Sequence, residues 1–347
     1  MRIVCLALLV CAALFGQAAG RRGQAVDMAR KYELKPMAKP EWATRTDAPL
    51  FRVAWFSDTH VGGKKQIEIL RNAFDFARGK KANLAIFTGD NSTYAAPKWA
   101  KAQPIELSRH AWFQAFLDSE LGMPYKVICG DNWYNGFIET FGSRNFAFDA
   151  GGYHFIFTSL DVRSSRGEGC AEFTEGTLNW IRSDLAANSN KPTLFVLHEP
   201  IWPPTFLGTS KVEGILKDSR NVVCGLAGHL HLDLDFNHGS FRQLVCPAIG
   251  LDHRPGFKLM SFYEDAIIIE SCELNQASGT FFMADKWQRI VIPPRLKPAA
   301  APLDFKNTSE MPPVPIGRND ALLERSKEVY NALMGFAITV GVKELFK

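Results

Sequence analysis

The stretch FRVAWFSDTH, residues 51–60, joins an apolar run directly to two residues of metal-binding type. Residues 51–56 are apolar apart from Arg52, which predicts a strand that is covered on both faces. A carboxylate, Asp58, and an imidazole, His60, follow the run with one residue between them. A D-x-H triplet occurs by chance in many chains, so it indicates a site only if further ligand types lie beside it.

Other apolar runs end in the same kinds of residue. The predicted strands are 51–56, 84–88, 125–129, 153–159, 193–197, 222–226 and 243–248. The second is followed by Gly89-Asp90, the third by Gly130-Asp131-Asn132, the fifth by His198, and the sixth by Gly228-His229-Leu230-His231. Open α/β proteins place their sites beyond the carboxyl ends of strands, so we expect these side chains to converge.

Helical patterns separate several of the strands, at about 65–78, 105–120 and 174–187. The third begins at Thr174, a residue type that caps helices. This alternation of strand and helix predicts an α/β or α+β sandwich. Residues 260–292 predict a terminal β-meander that closes a domain spanning 51–292.

Two segments follow that domain. Residues 293–319 are rich in proline and predict a linker or a strap across the surface. Residues 320–347 predict a C-terminal helix, which would pack back onto the domain or, alternatively, bind a partner or a membrane surface. Its apolar run at 332–342 is too short to span a bilayer.

The N-terminus has the pattern of a secretory signal peptide over residues 1–20. Arg2 supplies the positive end, residues 3–15 the apolar segment, and Ala18-Ala19-Gly20 the small-residue cleavage zone. We therefore expect a secreted or periplasmic mature chain with a polar lead at 21–50, and a signal anchor is the alternative.

Composition narrows the classes of function. The chain has 347 residues, 46% of them hydrophobic, and a formal net charge of +4. Its lysines and arginines are scattered, so we expect no nucleic-acid surface. Five cysteines lie beyond residue 20 with no CxxC spacing, which favours buried free thiols and leaves one disulfide as an alternative. The sequence does not indicate an oligomeric state.

The ordered set of strand-end motifs resembles that of the calcineurin-like metallophosphoesterases. Their pattern is D-x-H, G-D, G-N-H-[DE], a lone His, and G-H-x-H, each after a strand. The resemblance covers roughly residues 51–250. It implies an α/β (α+β) fold, a four-layer sandwich of two mixed β-sheets flanked by helices, here with a C-terminal extension.

The resemblance also implies two metal ions and their ligands. One ion would be held by Asp58, His60 and His231, a second by Asp131, His198 and His229, and Asp90 would bridge them. Carboxylate and imidazole ligands suit Mn, Fe, Zn or Mg without choosing among these. The implied reaction is hydrolysis of a phosphoester by a hydroxide between two ions about 3.5–4 Å apart. The substrate would be a small phosphodiester or a nucleotide, lipid or sugar phosphate.

The third motif departs from the family pattern, because Gly130-Asp131-Asn132-Trp133 replaces G-N-H-[DE]. Asp131 stands at the asparagine ligand and adds a negative charge. We expect this charge to favour a singly charged phosphodiester over a dianionic monoester, or a mixed-valence metal pair. Asn132 stands at the catalytic histidine and donates a hydrogen bond, but it cannot deliver a proton. In an alternative alignment with the family motif, Asp131 is an insertion at the glycine, and Asn132 would itself be the ligand.

Other residues could supply what Asn132 lacks. His253 and His110 are candidate acids, Arg254 a candidate phosphate clamp, and Trp133 a candidate wall for the substrate beside Asn132. Each also has an ordinary structural interpretation, as core or surface residue. The loss of the histidine leaves a second hypothesis for the whole chain: a non-catalytic member that keeps its metals and binds a phosphorylated ligand or partner.

Overall fold

A computed structural model describes residues 30–92, 105–132, 134–164, 170–238, 241–250, 254–325, 327–329, 331–332 and 335. The predicted signal peptide, Trp133, His253 and most of the predicted C-terminal helix lie outside the described residues. Secretion therefore stays a prediction. No helix in the described part of the chain is long and apolar enough to cross a membrane.

The described residues form strands in three sheets. In chain order the strands are β1 (Phe51–Phe56), β2 (Leu84–Phe87), β3 (Tyr125–Val127), β4 (Phe146–Ala150), β5 (Tyr153–Phe157), β6 (Val162–Arg163), β7 (Ala171–Glu172), β8 (Thr193–Val196), β9 (Val222–Ala227), β10 (Leu234–His238), β11 (Phe241–Val245), β12 (Gly256–Phe262), β13 (Ala266–Asn275), β14 (Thr280–Val291), β15 (Thr308–Glu310) and β16 (Gly317–Arg318).

Two of the sheets are large and mixed. Sheet I has the order β14-β13-β12-β1-β2-β3, and sheet II has the order β10-β11-β9-β8-β5-β4-β15. Strands β1, β2 and β3 run parallel in sheet I, as do β5, β8, β9 and β11 in sheet II. The five strands that carry the polar motifs at their carboxyl ends, β1, β2, β3, β8 and β9, are all among these parallel strands.

Alternating side chains of each strand build the layers. Val53 and Trp55 of β1 face sheet II and lie in a core with Phe155 and Val196. Ala54 and Phe56, on the other face of β1, pack in a second core beneath the helices. Both faces of sheet I are therefore covered, which explains why β2 is apolar throughout and β1 is apolar except for Arg52.

Five α-helices among the described residues complete the sandwich. They are α1 (Lys64–Gly79), α2 (Ile105–Glu120), α3 (Phe137–Phe141), α4 (Glu175–Ala187) and α5 (Thr209–Asp218). Helices α1 and α2 cover sheet I, and α4 and α5 cover sheet II. Thr174 caps α4 and accepts a hydrogen bond from the Thr177 backbone N–H. The predicted four-layer α/β sandwich of two mixed sheets is confirmed.

The proline-rich segment contributes strands to the sheets. Its strand β15 pairs antiparallel with β4 and covers that edge of sheet II. Strand β16 pairs parallel with β6 in a small three-stranded sheet. The next residues form a 3₁₀ helix, Asp320–Arg325, where an α-helix was predicted, whereas the described residues 327–329, 331–332 and 335 are α-helical as predicted. Asn319 causes the tighter turn, because its carbonyl accepts from the Leu322 N–H and its Oδ1 from the Ala321 N–H.

All five described cysteines are free and buried, as expected: Cys129, Cys170, Cys224, Cys246 and Cys272. The patterns did not indicate two of the helices, α3 and α5, or six of the strands, β4, β6, β7, β10, β15 and β16. Several strands also end one or more residues earlier than predicted; β3, for example, ends at Val127.

Candidate metal centre

The strand ends of both sheets meet at one edge of the sandwich. Sheet I contributes the residues after β1, β2 and β3, and sheet II those after β8 and β9. The structure brings together all seven side chains that the resemblance implied as ligands: Asp58, His60, Asp90, Asp131, His198, His229 and His231. That they bind metal stays a prediction.

The first group consists of Asp58, His60 and His231. Asp58 Oδ1 lies 3.2 Å from His231 Nε2 and 3.7 Å from His60 Nε2. The two imidazole Nε2 atoms lie 3.3 Å apart. Ligand atoms about 2.1 Å from one ion are roughly 3.0–3.4 Å from each other in tetrahedral or octahedral geometry. Two of the three distances lie in this range and the third, 3.7 Å between Asp58 Oδ1 and His60 Nε2, exceeds it, so the group is close to the spacing of donors around a single cation.

The second group consists of Asp131, His198 and His229. Asp131 Oδ1 lies 3.1 Å from His198 Nε2 and 3.4 Å from His229 Nδ1. His198 Nδ1 donates to the carbonyl of Thr88 at 2.6 Å, which leaves the lone pair of Nε2 free to bind a metal. Asp131, rather than Asn132, faces the two imidazoles. This geometry favours the alignment in which Asp131 stands at the ligand position of the third motif.

Asp90 lies between the two groups. Its Oδ2 is 3.7 Å from His60 Nε2 of the first group and 3.7 Å from His198 Nε2 of the second. A carboxylate oxygen at the same distance from one imidazole nitrogen of each group is placed to bridge two ions. Asp58 Oδ1, which belongs to the first group, also lies 3.8 Å from His198 Nε2 of the second group.

The backbone of the cluster is unusual. Eight described residues other than glycine have a φ in the left-handed region, and five of them are Asp58, His60, Asp90, His229 and His231. Their φ angles range from 40° to 67°. This conformation costs about 1–2 kcal/mol per residue, and such strain clusters at functional sites. Sharp turns directly after the strands thus aim the side chains inward.

Two glycines of the motifs leave room for ligand carboxylates. A Cβ on Gly130 would collide with Asp90 Oδ1, and a Cβ on Gly228 would collide with Ser57 Oγ and lie 2.7 Å from Asp58 Oδ2. Any side chain at either position would displace a carboxylate. These contacts explain why glycine precedes the ligands in both motifs.

Electrostatics show a cluster that attracts positive charge. Burial, with repulsion from Asp131, raises the pKa of Asp90 to about 6. Although burial acts against its charged form, attraction to His198 and His231 holds the pKa of Asp58 well below its ordinary range. Burial likewise opposes protonation of His198, but Asp90 and Asp58 raise its pKa well above the ordinary value. Two buried carboxylates, Asp58 and Asp90, and the partly buried Asp131 thus compete for positive partners, a role that cations fill.

One carboxylate oxygen of the cluster, Asp58 Oδ1, is available as a metal ligand. Asp58 is fully buried, and its Oδ2 accepts from Ser57 Oγ at 2.6 Å and from the His229 backbone N–H at 2.9 Å. Among the residues that the structure describes, none donates a hydrogen bond to its Oδ1. A buried carboxylate oxygen without a donor is costly, so this atom fits a ligand for a cation. The donor set of oxygens and imidazoles suits Mn, Fe, Zn or Mg.

Asn132 turns towards the cluster. Its backbone N–H donates to Asp90 Oδ1 at 3.0 Å and its Nδ2 to Asp90 Oδ2 at 2.6 Å. Its Nδ2 also lies 3.3 Å from Asp131 Oδ1. Asn132, at the position where the resemblance implied a histidine, therefore holds the Asp90 carboxylate in place. Its roles in catalysis and substrate binding stay predictions.

A buried ion pair supports the second group, and sequence reasoning missed it. Arg163 Nη2 lies 2.5 Å from Glu199 Oε1 and donates to the Gly130 carbonyl at 3.3 Å. Glu199 follows His198, and Gly130 precedes Asp131, so one guanidinium joins the two loops that carry these ligands. Glu199 was visible beside His198 in the sequence, but no local pattern points to Arg163.

The remaining candidates lie elsewhere. His110 is buried in α2 with ring contacts to Phe137 and Phe141, outside the seven-residue cluster. Arg254 is exposed, in a segment whose ends are joined by the Gly256 N–H and the Ala248 carbonyl. His253 and Trp133 lie outside the described residues. Their proposed roles therefore stay predictions.

Comparison with known proteins identifies the fold. No protein-family model matches the chain, and no curated protein matches it. A dimetal phosphatase from Danio rerio is similar in structure, with 14% identity, a TM-score of 0.56, and coverage of 70% of this chain and 99% of that chain.

Two further solved structures have lower TM-scores. GAP50, the anchor in the inner membrane complex of Plasmodium, has 14% identity and a TM-score of 0.48 over 82% of this chain and 94% of that chain. Vacuolar Protein Sorting 29 from Cryptosporidium parvum has 13% identity and a TM-score of 0.40 over 71% and 100%. The sheet order, the helical layers and the likeness to the dimetal phosphatase together show that this chain has the calcineurin-like metallophosphoesterase fold.

Proposed function

We propose that this protein is a metal-dependent phosphoester hydrolase with a two-metal centre. The observation that carries the proposal is the arrangement of the seven side chains as two three-residue groups with Asp90 between them. Asp58, His60 and His231 would hold one ion, and Asp131, His198 and His229 the other. Two bound cations would supply an activated water and polarise the phosphoryl oxygens.

The chain's own residues prepare that site. Thr88 holds the His198 ring with its Nε2 turned to the cluster, and Ser57 and the His229 N–H leave only Asp58 Oδ1 free to bind. Asn132 holds Asp90 by two hydrogen bonds. Each ligand is therefore oriented by a second contact, which is typical of metal centres.

We also propose that the preferred substrate is a phosphodiester. Asp58, Asp90 and Asp131 place three carboxylates at the site, and their charge repels a dianionic monoester more than a singly charged diester. Asn132 cannot protonate a leaving oxygen, so substrates with good leaving groups should react faster than alkyl esters. A nucleotide, lipid or sugar diester fits this description.

Asn132 also favours a second candidate function, that of a metal-binding protein without turnover that binds a phosphorylated ligand. One experiment separates the two. Purified protein is loaded with Mn, its metal content is measured, and hydrolysis of bis-p-nitrophenyl phosphate is followed for wild type, Asp90→Asn and the control Asp218→Asn, which alters an exposed residue at the end of α5.

A hydrolase retains two metals per chain and turns over the diester in the wild type and the control. Asp90→Asn should lose both metal and at least about 10²-fold of the rate, since it removes the bridging charge. Full metal content with no turnover, despite the good leaving group, would instead establish the binding function. Failure to retain any metal would contradict both.

A further inference from the structure

A second candidate site lies on sheet I, away from the metal centre. A cavity of about 510 Å³ is lined by five cations and one carboxyl group among its polar residues: Lys39, Arg45, Arg52, Lys80, Lys81 and Glu270. We call it the basic pocket. Arg52 lies near the start of β1, six residues before Asp58 along an extended strand, which is a separation of roughly 20 Å. The pocket is therefore distinct from the cluster of metal-ligand candidates.

The strands of sheet I form its floor. Arg52 of β1 is in register with Ser261 of β12, and Glu270 of β13 is in register with Leu259 of β12 and Trp287 of β14. Leu259 and Ser261 are two residues apart in β12. Their side chains, and those of the residues in register with them, therefore face the same side of the sheet. This face carries polar groups at positions where the rest of the sheet is apolar.

Most of the positive charge in the pocket is not neutralised. Arg45 is bound by Asp47 and Asp265, so its charge is compensated. Among the described residues, however, Lys39, Arg52, Lys80 and Lys81 have no carboxylate oxygen within 4.0 Å. Arg52 is held in place by Ser261 Oγ at 3.3 Å and the Lys80 carbonyl at 3.4 Å. Four cations from three different elements thus face one cavity.

The end of helix α1 explains only part of this cluster. Lys80 and Lys81 follow the last turn of α1, where cations are stabilised by the helix carbonyls. Lys39 comes from the N-terminal lead and Arg52 from β1, and the dipole gives no reason for either. Lys39 Nζ lies 5.3 Å from the centre of the Trp287 ring, which places it over the floor of the pocket.

The carboxyl group of Glu270 does not neutralise the positive charge of the basic pocket. Burial raises the pKa of Glu270 to about 7, against the attraction of Lys39 and Lys80 and together with repulsion from Asp285. Near neutral pH a large fraction of Glu270 is therefore uncharged, and the protonated acid can donate a hydrogen bond to a phosphate oxygen.

We propose that the basic pocket binds a small anion that carries two or more phosphate groups. The volume is in the range of small-molecule sites, about 300–1,000 Å³, and Arg52 offers the planar donors that suit phosphate oxygens. Free polyphosphorylated compounds and phosphorylated lipid headgroups share this chemistry. The inference does not depend on the metal centre or on hydrolysis.

Binding is measured by calorimetry with pyrophosphate and inositol hexakisphosphate, and by flotation with phosphatidylcholine vesicles that contain phosphatidylinositol bisphosphate. The protein is treated with EDTA so that no metal centre contributes. The test variant is Lys80→Glu with Lys81→Glu. Its matched control is Lys64→Glu with Lys65→Glu, the same charge change at exposed residues of the other end of α1, roughly 24 Å away.

Wild type and control should bind one equivalent of a probe, and the test variant should bind at least about tenfold more weakly because four units of charge change at the pocket wall. Glu270→Gln should bind more tightly than wild type above about pH 8, where Glu270 is ionised among Lys39, Arg52, Lys80, Lys81 and Asp285, and equally at about pH 6. Binding to vesicles alone would support the site and assign it to a lipid. No binding of any probe, or equal loss in both double variants, would overturn the proposal.

Discussion

Asn132 donates hydrogen bonds to both carboxylate oxygens of Asp90, from its backbone N–H to Oδ1 at 3.0 Å and from Nδ2 to Oδ2 at 2.6 Å. Asn132, at the position where the resemblance implies a histidine, is thus joined to the carboxylate between the two ligand groups. An amide in this position orients Asp90, and it has no acidic proton to give to a leaving group. We therefore predict that Asn132 supports Asp90 and does not act as an acid.

A histidine at position 132 should change the rate of phosphodiester hydrolysis by an amount that depends on the leaving group. We expect Asn132→His to raise kcat/KM for an alkyl phosphodiester by at least about tenfold, part of the 10²–10⁴-fold that a positioned acid contributes. The effect on a p-nitrophenyl ester should be small, because that leaving group needs no proton. Asn132→Ala is the control for loss of the Asp90 contact and should slow both substrates. An equal change for both esters in Asn132→His would contradict the acid role.

Removing the extra charge of the third motif should alter substrate preference. Asp131→Asn keeps an oxygen ligand for the second group but removes one negative charge beside His198 and His229. We expect the ratio of diester to monoester kcat/KM to fall by at least about threefold, because a dianion is repelled less. The ratio is measured with bis-p-nitrophenyl and p-nitrophenyl phosphate at equal metal content. An unchanged ratio would show that Asp131 does not set the preference.

Gly228 should not tolerate a side chain. In Gly228→Ala the new Cβ would push against Ser57 and Asp58, so we expect about 1–3 kcal/mol lower free energy of unfolding and weaker metal binding. The matched control is Gly214→Ala in α5, where a Cβ would meet nothing within 4 Å and should stabilise the helix by up to about 1 kcal/mol. Urea unfolding and metal titration measure both variants, and wild-type metal affinity in Gly228→Ala would contradict the crowding.

Arg163 should act on the metal centre as a positioning residue. Arg163→Met leaves Glu199 buried without a partner and should cost about 3–5 kcal/mol of unfolding free energy. Adding Glu199→Met removes the orphan charge and should recover most of that loss. The loops before Asp131 and after His198 then remain unjoined, so metal affinity should stay about 10–100-fold weaker. Metal binding at the wild-type level in the stable double variant would limit Arg163 to a structural role.

His154 should make stability depend on pH. Burial opposes its charged form, but hydrogen bonds to Asp149 at 2.8 Å and Asp184 at 2.6 Å raise its pKa above the ordinary value of 6.5. Because the folded pKa exceeds the unfolded one, the stabilisation is complete below about pH 6.5 and is lost as the pH rises through the folded value. The difference in unfolding free energy between wild type and His154→Gln should therefore shrink from about pH 6 to pH 9. A constant difference would show that folding does not raise the pKa of His154.

The sequence predicted the parts of this protein that depend on local pattern. Strand β1 and its Asp58 and His60 were recognisable because an apolar run and its ligands are contiguous in the chain. The same holds for the motifs after β2, β3, β8 and β9, and their common position at strand ends predicted that they converge. The order of the motifs also predicted the four-layer sandwich.

The parts that were missed depend on contacts between distant residues. Arg163 binds the Gly130 carbonyl and Glu199, more than thirty residues away on either side, and nothing in its own neighbourhood marks it. Strand β4 borders a strand from the proline-rich segment, a pairing that no local propensity encodes. The 3₁₀ turn at 320–325 follows from the hydrogen bonds of Asn319, which compete with an α-helical start.

The left-handed backbone at five of the seven ligand candidates limits how this site can change in evolution. Asp, Asn, His and glycine enter that conformation at low cost, whereas β-branched residues are genuine outliers there. A lineage that abandoned the metals could drift at these positions only within that small set unless the loops were rebuilt. Asp131 and His198 have no such backbone restriction, so a substitution at either of them would report a loss of metal binding more directly than one at the other five positions.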